Sequence, residues 1–462
     1  MARCAKATPP PIWSGDLQPS DQGRRPSVVV VATVHWASTT RLCLSLAESG
    51  FQVVALAPDG HALHGLSEIV VRSIGRTRAH ALSEIIRTVE SRPPDLLVPA
   101  DERAIDFMRI LYRRAIGGKG RNAGQMAALI EASLGSPSAF MFAAQKSRLV
   151  SLAQREGLLV PATNVVDDIL ELRRLIAKAH FPLVLKQDGS SGGQGVRIVS
   201  NAADAEQSFV ELRTSAGPRA AVKMALKKLD LSYLDGLYRK PPAISLQEYI
   251  IGRPANRAVV CHRGEVLAGL SVEALQTTDA TGPATVIRVI DSPEMSDAAA
   301  RMVRHLGLSG FVGFDFMLEA ATGRAYLIEM NGRPTQICHL ALDADSDMIG
   351  ALAARLPSVV LRRTMPNFDG PTVALFPQES WRDPDSGYLR SAFHDVPWQT
   401  PEFVAAYRTA VAPEPPDWIQ ILRSYLRQPS RFWRDGTKAA GLSIVGSLIE
   451  QSVKPAPPPK SE

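Results

Sequence analysis

Gly313-Phe314-Asp315-Phe316, followed by Tyr326-Leu327-Ile328-Glu329-Met330-Asn331-Gly332-Arg333, is the stretch on which the reading of this chain turns. The runs Gly310–Leu318 and Arg324–Met330 flank Ala320-Ala321-Thr322-Gly323, the pattern of a β-hairpin. Side chains alternate along a strand, so Glu329 and Asn331 share a face, and a turn at 320–323 brings Asp315 opposite Glu329. Three oxygen ligands then converge. Few carboxylates with no Cys or His suit Mg²⁺, a hard cation that keeps waters and binds phosphate oxygens, with Mn²⁺ as the alternative. Arg333 lies just beyond, where its planar fork can hold a carboxylate or a developing negative charge. Taken alone the hairpin is as readily a solvated face, and the neighbouring segments decide.

The second of these is Phe181-Pro182-Leu183-Val184-Leu185-Lys186, followed by Gln187-Asp188-Gly189-Ser190-Ser191-Gly192-Gly193-Gln194-Gly195-Val196. A lysine ending an apolar strand meets a phosphate as a point charge, and a loop of glycines and serines lets backbone N–H groups fold over phosphates as a mobile lid. No G-K-[ST] opens a helix here, so this is not a Walker loop. The third segment, Ser245-Leu246-Gln247-Glu248-Tyr249-Ile250-Ile251-Gly252, is a strand stopped by a glycine. Its edge offers backbone groups to adenine, with Glu248 the candidate acceptor for the exocyclic amine, against the plainer reading of an exposed edge Glu. Lys146 precedes a helix and the phrase Gly157-Leu158-Leu159-Val160-Pro161-Ala162-Thr163, where most lysines are solvated.

In this order the four segments resemble the ATP-grasp superfamily, over residues 141–345. The resemblance implies that Lys146 and Lys186 contact nucleotide phosphates, that Ser190, Ser191, Gly192, Gly193, Gln194 and Gly195 form the phosphate loop, and that Glu248 with the backbone at Tyr249 and Ile250 holds adenine. It implies likewise that Asp315, Glu329 and Asn331 hold magnesium and that Arg333 stabilises transferred phosphate or substrate. Two departures stand out. Where several members place an acidic ribose contact, this chain reads Arg253-Pro254-Ala255-Asn256-Arg257, leaving Asn256 as the substitute, and Asn331-Gly332-Arg333 stands where Asn-Pro-Arg is common. Arg288 either faces the triphosphate or forms a structural salt bridge.

Upstream, Ser27–Val34 is a continuous β-branched run expected of a buried parallel strand, followed by helical Thr39–Glu48 and a second strand, Phe51–Leu56. A helix at Ala79–Glu90, a strand at Asp95–Pro99 and a helix capped by Asp101 and running through Arg114 complete a β-α-β-α-β-α order, which implies an open parallel sheet. The first turn, Ala32-Thr33-Val34-His35-Trp36-Ala37, lacks G-x-G-x-x-G, so this is a scaffold without a dinucleotide. Farther on, helices are expected near Ala203–Leu212 and at Ser296–His305, with strands at Ala243–Ile250, Arg257–His262 and Val266–Glu273. The expected fold is therefore α/β and α+β: a tail at 1–26, a Rossmann-like parallel-sheet domain at 27–140, a two-lobed ATP-grasp domain at 141–360, and a C-terminal extension at 361–462 matching no standard fold. Within it, His394-Asp395-Val396-Pro397-Trp398 either lines an acceptor pocket or is a buried Trp beside a locally bonded His–Asp pair.

Composition narrows the function. Hydrophobic residues at 45% and charged residues at 21% describe a globular chain rather than a disordered one. A net charge of +6 is spread without a basic block, which weighs against nucleic acid. Cys4, Cys43, Cys261 and Cys338 show no metal spacing, so free thiols in a reducing, cytoplasmic setting are expected. No run is long enough to span a bilayer. Lys438–Glu450 is an apolar segment that packs on the enzyme or on a second subunit of a homo-oligomer, with weak peripheral membrane contact the alternative. The partners expected are a small-molecule carboxylate and an amine, joined by a carboxylate–amine ligase through an acyl phosphate, for which no general base can be nominated. Alternatives are a carbamoyl-phosphate synthetase-like or carboxylase-type enzyme, suggested by the spacing of Asp315 and Glu329, and a non-catalytic ATP-binding module.

Overall fold

The computed structural model describes residues 25–75, 77–118, 120, 122–137, 139, 146–189, 195–215, 242–356 and 370–408. Residues 1–24 of the tail expected at 1–26, loop residues Ser190–Gln194 and the apolar segment Lys438–Glu450 lie outside these.

The N-terminal part is a four-stranded parallel sheet in the order β3-β2-β1-β4, built from β1 (Ser27–Val31), α1 (Ala37–Glu48), β2 (Gln52–Ala57), β3 (Val70–Ser73), α2 (Arg78–Ser91), β4 (Leu96–Pro99), α3 (Glu102–Ile116) and α4 (Ala123–Leu134). Burial on both faces explains the uninterrupted valines of β1. One face packs under α2, α3 and α4, and the other joins the large sheet described below in a single apolar core. β4 starts one residue later than expected because the Asp95 carboxylate bonds the Ser27 N–H at 2.7 Å and its hydroxyl at 2.9 Å. The edge strand β3 has no sequence expectation: its four residues are only partly covered and lack a readable apolar period.

A small lobe follows: α5 (Lys146–Arg155), β5 (Thr163–Val166), α6 (Ile169–Ile176), β6 (Leu183–Gln187), β7 (Val196–Val199), α7 (Ala202–Ser215) and β8 (Ile244–Glu248). Its antiparallel sheet has the order β5-β8-β6-β7. Leu183, Leu185, Val199, Ile244 and Leu246 bury one face with side chains of α6 and α7.

The third sheet has seven strands in the order β13-β12-β9-β10-β11-β14-β15, comprising β9 (Gly252–His262), β10 (Glu265–Thr277), β11 (Ala284–Val289), β12 (Gly310–Glu319), β13 (Ala325–Asn331), β14 (Thr372–Ala374) and β15 (Phe393–His394). The helix Pro293–Leu306 covers one face, one turn longer at its start than the sequence implies because Ser292 caps it and Pro293 opens it. Strands β14 and β15 belong to the stretch that sequence patterns leave unassigned, and they extend the sheet from β11. Among the described residues, no helix is long and apolar enough to cross a membrane.

Candidate active site

The hairpin β12–β13 has the register its sequence implies. Gly313 pairs with Asn331, Phe314 with Met330 and Asp315 with Glu329. Phe314, Phe316, Leu327 and Met330 are at most 2% exposed and enter the core under the helix Pro293–Leu306. Burying each such side chain contributes about 1.5–3 kcal/mol, so this face cannot flip outward. Asp315, Glu329 and Asn331 are thereby committed to the opposite face, on the side of the N-terminal sheet.

Asp315 is held on both oxygens. The Asn256 side-chain amide donates to Oδ1 at 2.6 Å and that of Asn331 donates to Oδ2 at 2.8 Å. Enclosure and the facing Glu329 push the Asp315 pKa up, against the lowering effects of the two amides and Arg333. Two carboxylates facing one another in a partly desolvated pocket favour a cation between them. The donor set, two carboxylates plus the amide oxygen of Asn331, is all oxygen and fits magnesium.

Asn256, read from sequence as a substitute ribose contact, lies on β9 directly opposite Asp315 and bonds to it. The Thr335 hydroxyl donates to its Oδ1 at 3.2 Å. Gly313 makes room for this arrangement: a Cβ there would stand 2.1 Å from the Thr335 Cγ2.

In the small lobe, alternation separates residues adjacent in sequence. Gln187 points toward α7, its amide donating to the Leu212 carbonyl at 2.6 Å, so the nearly buried Lys186 belongs to the other face. Ser245 pairs with Lys186, and Gln247 follows two residues on, placing Gln247 on the lysine's side. Glu248 falls on the opposite face, where its carboxylate accepts from the Ala162 N–H at 3.3 Å. Gln247, whose amide donates to the Thr163 hydroxyl at 2.9 Å, is a polar group on the lysine's face that sequence reading passes over. Tyr249 and the buried Ile250 come next, and Gly195 immediately precedes β7. Lys146 opens α5.

Arg288 forms the salt-bridge alternative. Its Nε donates to the buried Glu273 carboxylate at 2.5 Å, and Arg253 reaches the same carboxylate at 3.3 Å. Cys43, Cys261 and Cys338 are buried free thiols, and burial pushes the Cys338 thiol up to about 11. Asp395 pairs with His339 at 2.8 Å rather than locally with His394, and Trp398 is 65% exposed, opposite to the buried-Trp alternative.

Arg333 has partners that sequence spacing could not reveal. Its Nε and Nη2 donate to Glu102 Oε1 at 2.7 and 2.5 Å, and its guanidinium lies 4.9 Å from the Trp36 ring centroid. Both partners come from the N-terminal domain, more than two hundred residues away in the chain.

Residues 146–341 match the family described as the carbamoyl-phosphate synthase L chain, ATP binding domain. The chain is 24% identical over 346 residues to the carbamoyl phosphate synthase large chain of Rubrobacter xylanophilus, covering 72% of this chain and 30% of that protein. It thus spans less than a third of the length of the curated relatives it matches. Among solved structures, it is similar to the biotin carboxylase domain of Hydrogenobacter thermophilus 2-oxoglutarate carboxylase, determined with MgADP, ADP and bicarbonate. That likeness has a TM-score of 0.51 at 15% identity, over 74% of this chain and 71% of that one. Phosphoribosylamine–glycine ligase from Thermotoga maritima is similar at a TM-score of 0.50 and 15% identity, over 74% and 78% of the two chains.

Proposed function

From a chain whose fold is that of the ATP-grasp superfamily, we propose an ATP- and magnesium-dependent carboxylate–amine ligase acting through an acyl phosphate. The observation that carries this reading is the pairing of Asp315 with Glu329, beside Asn331 and within electrostatic reach of Arg333. The carboxylates would serve a metal–nucleotide complex, and the guanidinium beside them gives a second anion, the substrate carboxylate, a place next to it.

In this reading Lys146, Lys186 and the backbone N–H groups of Ser190–Gly195 hold the phosphates of ATP, and the main chain at Tyr249 and Ile250 edges the adenine. Arg333 orients the substrate carboxylate in line with the γ-phosphorus. Asp315, Glu329 and Asn331 would hold magnesium, or manganese in its place, which when bound would neutralise charge on the transferring phosphoryl group. The carboxylate oxygen forms a bond to phosphorus, the bond to ADP breaks, and an amine then attacks the acyl carbon and expels inorganic phosphate. Lys186, held in a nearly buried position, neutralises negative charge with little reorganisation at the moment of transfer.

Phosphate release from purified protein with Mg-ATP, a panel of carboxylic acids and an amine tests the reading. Glu329→Ala should lower turnover by about 10²–10³-fold or more while the melting temperature holds. Lys186→Ala should weaken ATP binding by about tenfold or more. Undiminished release by Glu329→Ala would overturn the metal assignment. The match to the carbamoyl-phosphate synthase ATP-binding domain favours one second reading, phosphorylation of bicarbonate. Release that requires bicarbonate and ignores organic acids would select it.

A further inference from the structure

The carboxyl ends of β1 and β4 meet Arg333 at a place whose ligand the activity proposed above does not specify. β1 is flanked by β2 on one side and β4 on the other, so the loops leaving β1 and β4 diverge there, as ligand-binding loops do at the switch point of an open parallel sheet. Trp36 stands at the start of α1 and Glu102 is the first residue of α3. Buried Asp101 ties the two loops together, accepting from the Thr33 N–H at 2.5 Å, the Thr33 hydroxyl at 2.8 Å and the Ala104 N–H at 3.0 Å. Arg333 enters from β13 and meets both Trp36 and Glu102.

The exposures describe a mouth rather than a core: 40% for the Glu102 side chain, 37% for Trp36 and 13% for the Arg333 side chain. An ion pair this accessible is worth about 0–1 kcal/mol, so a ligand of matching charge can separate it at little cost. The sign of that ligand is constrained on both sides. A simple carboxylate taking Arg333 would leave the Glu102 carboxylate unpaired beside the incoming anion. A ligand carrying both charges on one carbon atom replaces one ion pair with two and leaves the charge of the pocket unchanged. Trp36 keeps the guanidinium plane fixed while its partner changes, by stacking.

We propose, resting on the ligase reading, that the carboxylate substrate is an α-amino acid: its carboxylate displaces Glu102 from Arg333 and its α-ammonium pairs with the freed Glu102. Glu102 is thus a specificity residue rather than a structural partner of Arg333. The placement puts the reacting carboxylate on the guanidinium nearest the Asp315–Glu329 pair, and the ammonium away from that pair.

Calorimetric titration of the full chain, with magnesium and a non-hydrolysable ATP analogue, tests this using both enantiomers of the common α-amino acids. For those that bind, the matched des-amino acid and methyl ester serve as probes. The des-amino acid and the ester should each bind at least about tenfold more weakly than the amino acid. Glu102→Gln should reduce the preference for amino over des-amino acid to below about threefold, and Glu102→Asp should restore part of it, with the affinity for the nucleotide analogue unchanged in both. Absence of amino-acid binding by protein that binds the nucleotide overturns the proposal, as does equal binding of amino and des-amino acids or a preference that survives Glu102→Gln. Phosphate release separates this from the ligase reading: amino-acid discrimination without release sinks the ligase and leaves the pocket. Release driven equally by plain carboxylates sinks the pocket and leaves the ligase.

Discussion

Two ion-pair networks join the N-terminal domain to the chain beyond β13, and they differ in their access to water. In the first, Glu102 of α3 meets Arg333 with Glu102 open to solvent. In the second, Arg41 of α1 and His339 both bind Asp395, with His339 and Asp395 each 4% exposed. Solvent access decides what each can do. A buried acid whose partners are removed has no water to replace them, so the second network behaves as a fixed joint, whereas the first can exchange its partner for a ligand.

The comparison breaks most sharply at Asp395. Asp395→Ala leaves Arg41 and His339 without their shared carboxylate and should cost about 3–5 kcal/mol in denaturant unfolding. A loss no larger than that of a surface substitution would erase the distinction. Burial pushes the Asp395 pKa up, but Arg41 and His339 outweigh it and hold the group below its ordinary value. The sign follows. Its contribution is complete above the unfolded value of about 3.9 and drains away as pH falls through the lower folded value, so Asp395→Asn should flatten the acid side of the stability profile.

A smaller effect is expected at Gly313, where Ala would press on Thr335 and so on Asn256 and Asp315. Overpacking there should cost about 1–3 kcal/mol and should also raise the magnesium concentration needed for half-maximal phosphate release. Unchanged magnesium dependence would separate Thr335 from the cluster. Smallest of all, Glu102→Gln should shift stability by less than about 1 kcal/mol, and a double-mutant cycle with Arg333→Lys should give a coupling of the same size. A coupling as large as that between Arg41 and Asp395 would make the two networks alike.

What could be read from sequence was whatever a strand's alternation encodes. The facing of Asp315 and Glu329 needed only a turn at 320–323 and the alternation that puts Glu329 and Asn331 on one face; what the sequence does not announce is the register shift beside it, where Phe316 pairs with Leu327 and Ile328 is passed over. The same rule, applied at Lys186, puts Glu248 on the opposite face and Gln247 on the lysine's face, which no single segment shows because the pairing partner of β6 lies some sixty residues away. Asn256 falls one residue before the strand expected at Arg257, and it is a strand residue because β9, paired with β12, starts at Gly252. Glu102 and Trp36 carry no local signature, and the one at Asp395 points to His394 beside it rather than to His339. Their roles depend on which elements pack together, and no periodicity within a single segment records that.

The distance between Arg41 and Asp395 along the chain, 354 residues, has a consequence for the order of assembly. The strands and helices between Ser27 and Leu134 make their contacts over short loops and can form while later segments are still being synthesised. The joint at Asp395 must wait for β15, and so must the far edge of the seven-stranded sheet. Until then the Arg41 guanidinium of α1 lacks the Asp395 carboxylate that receives it in the folded protein.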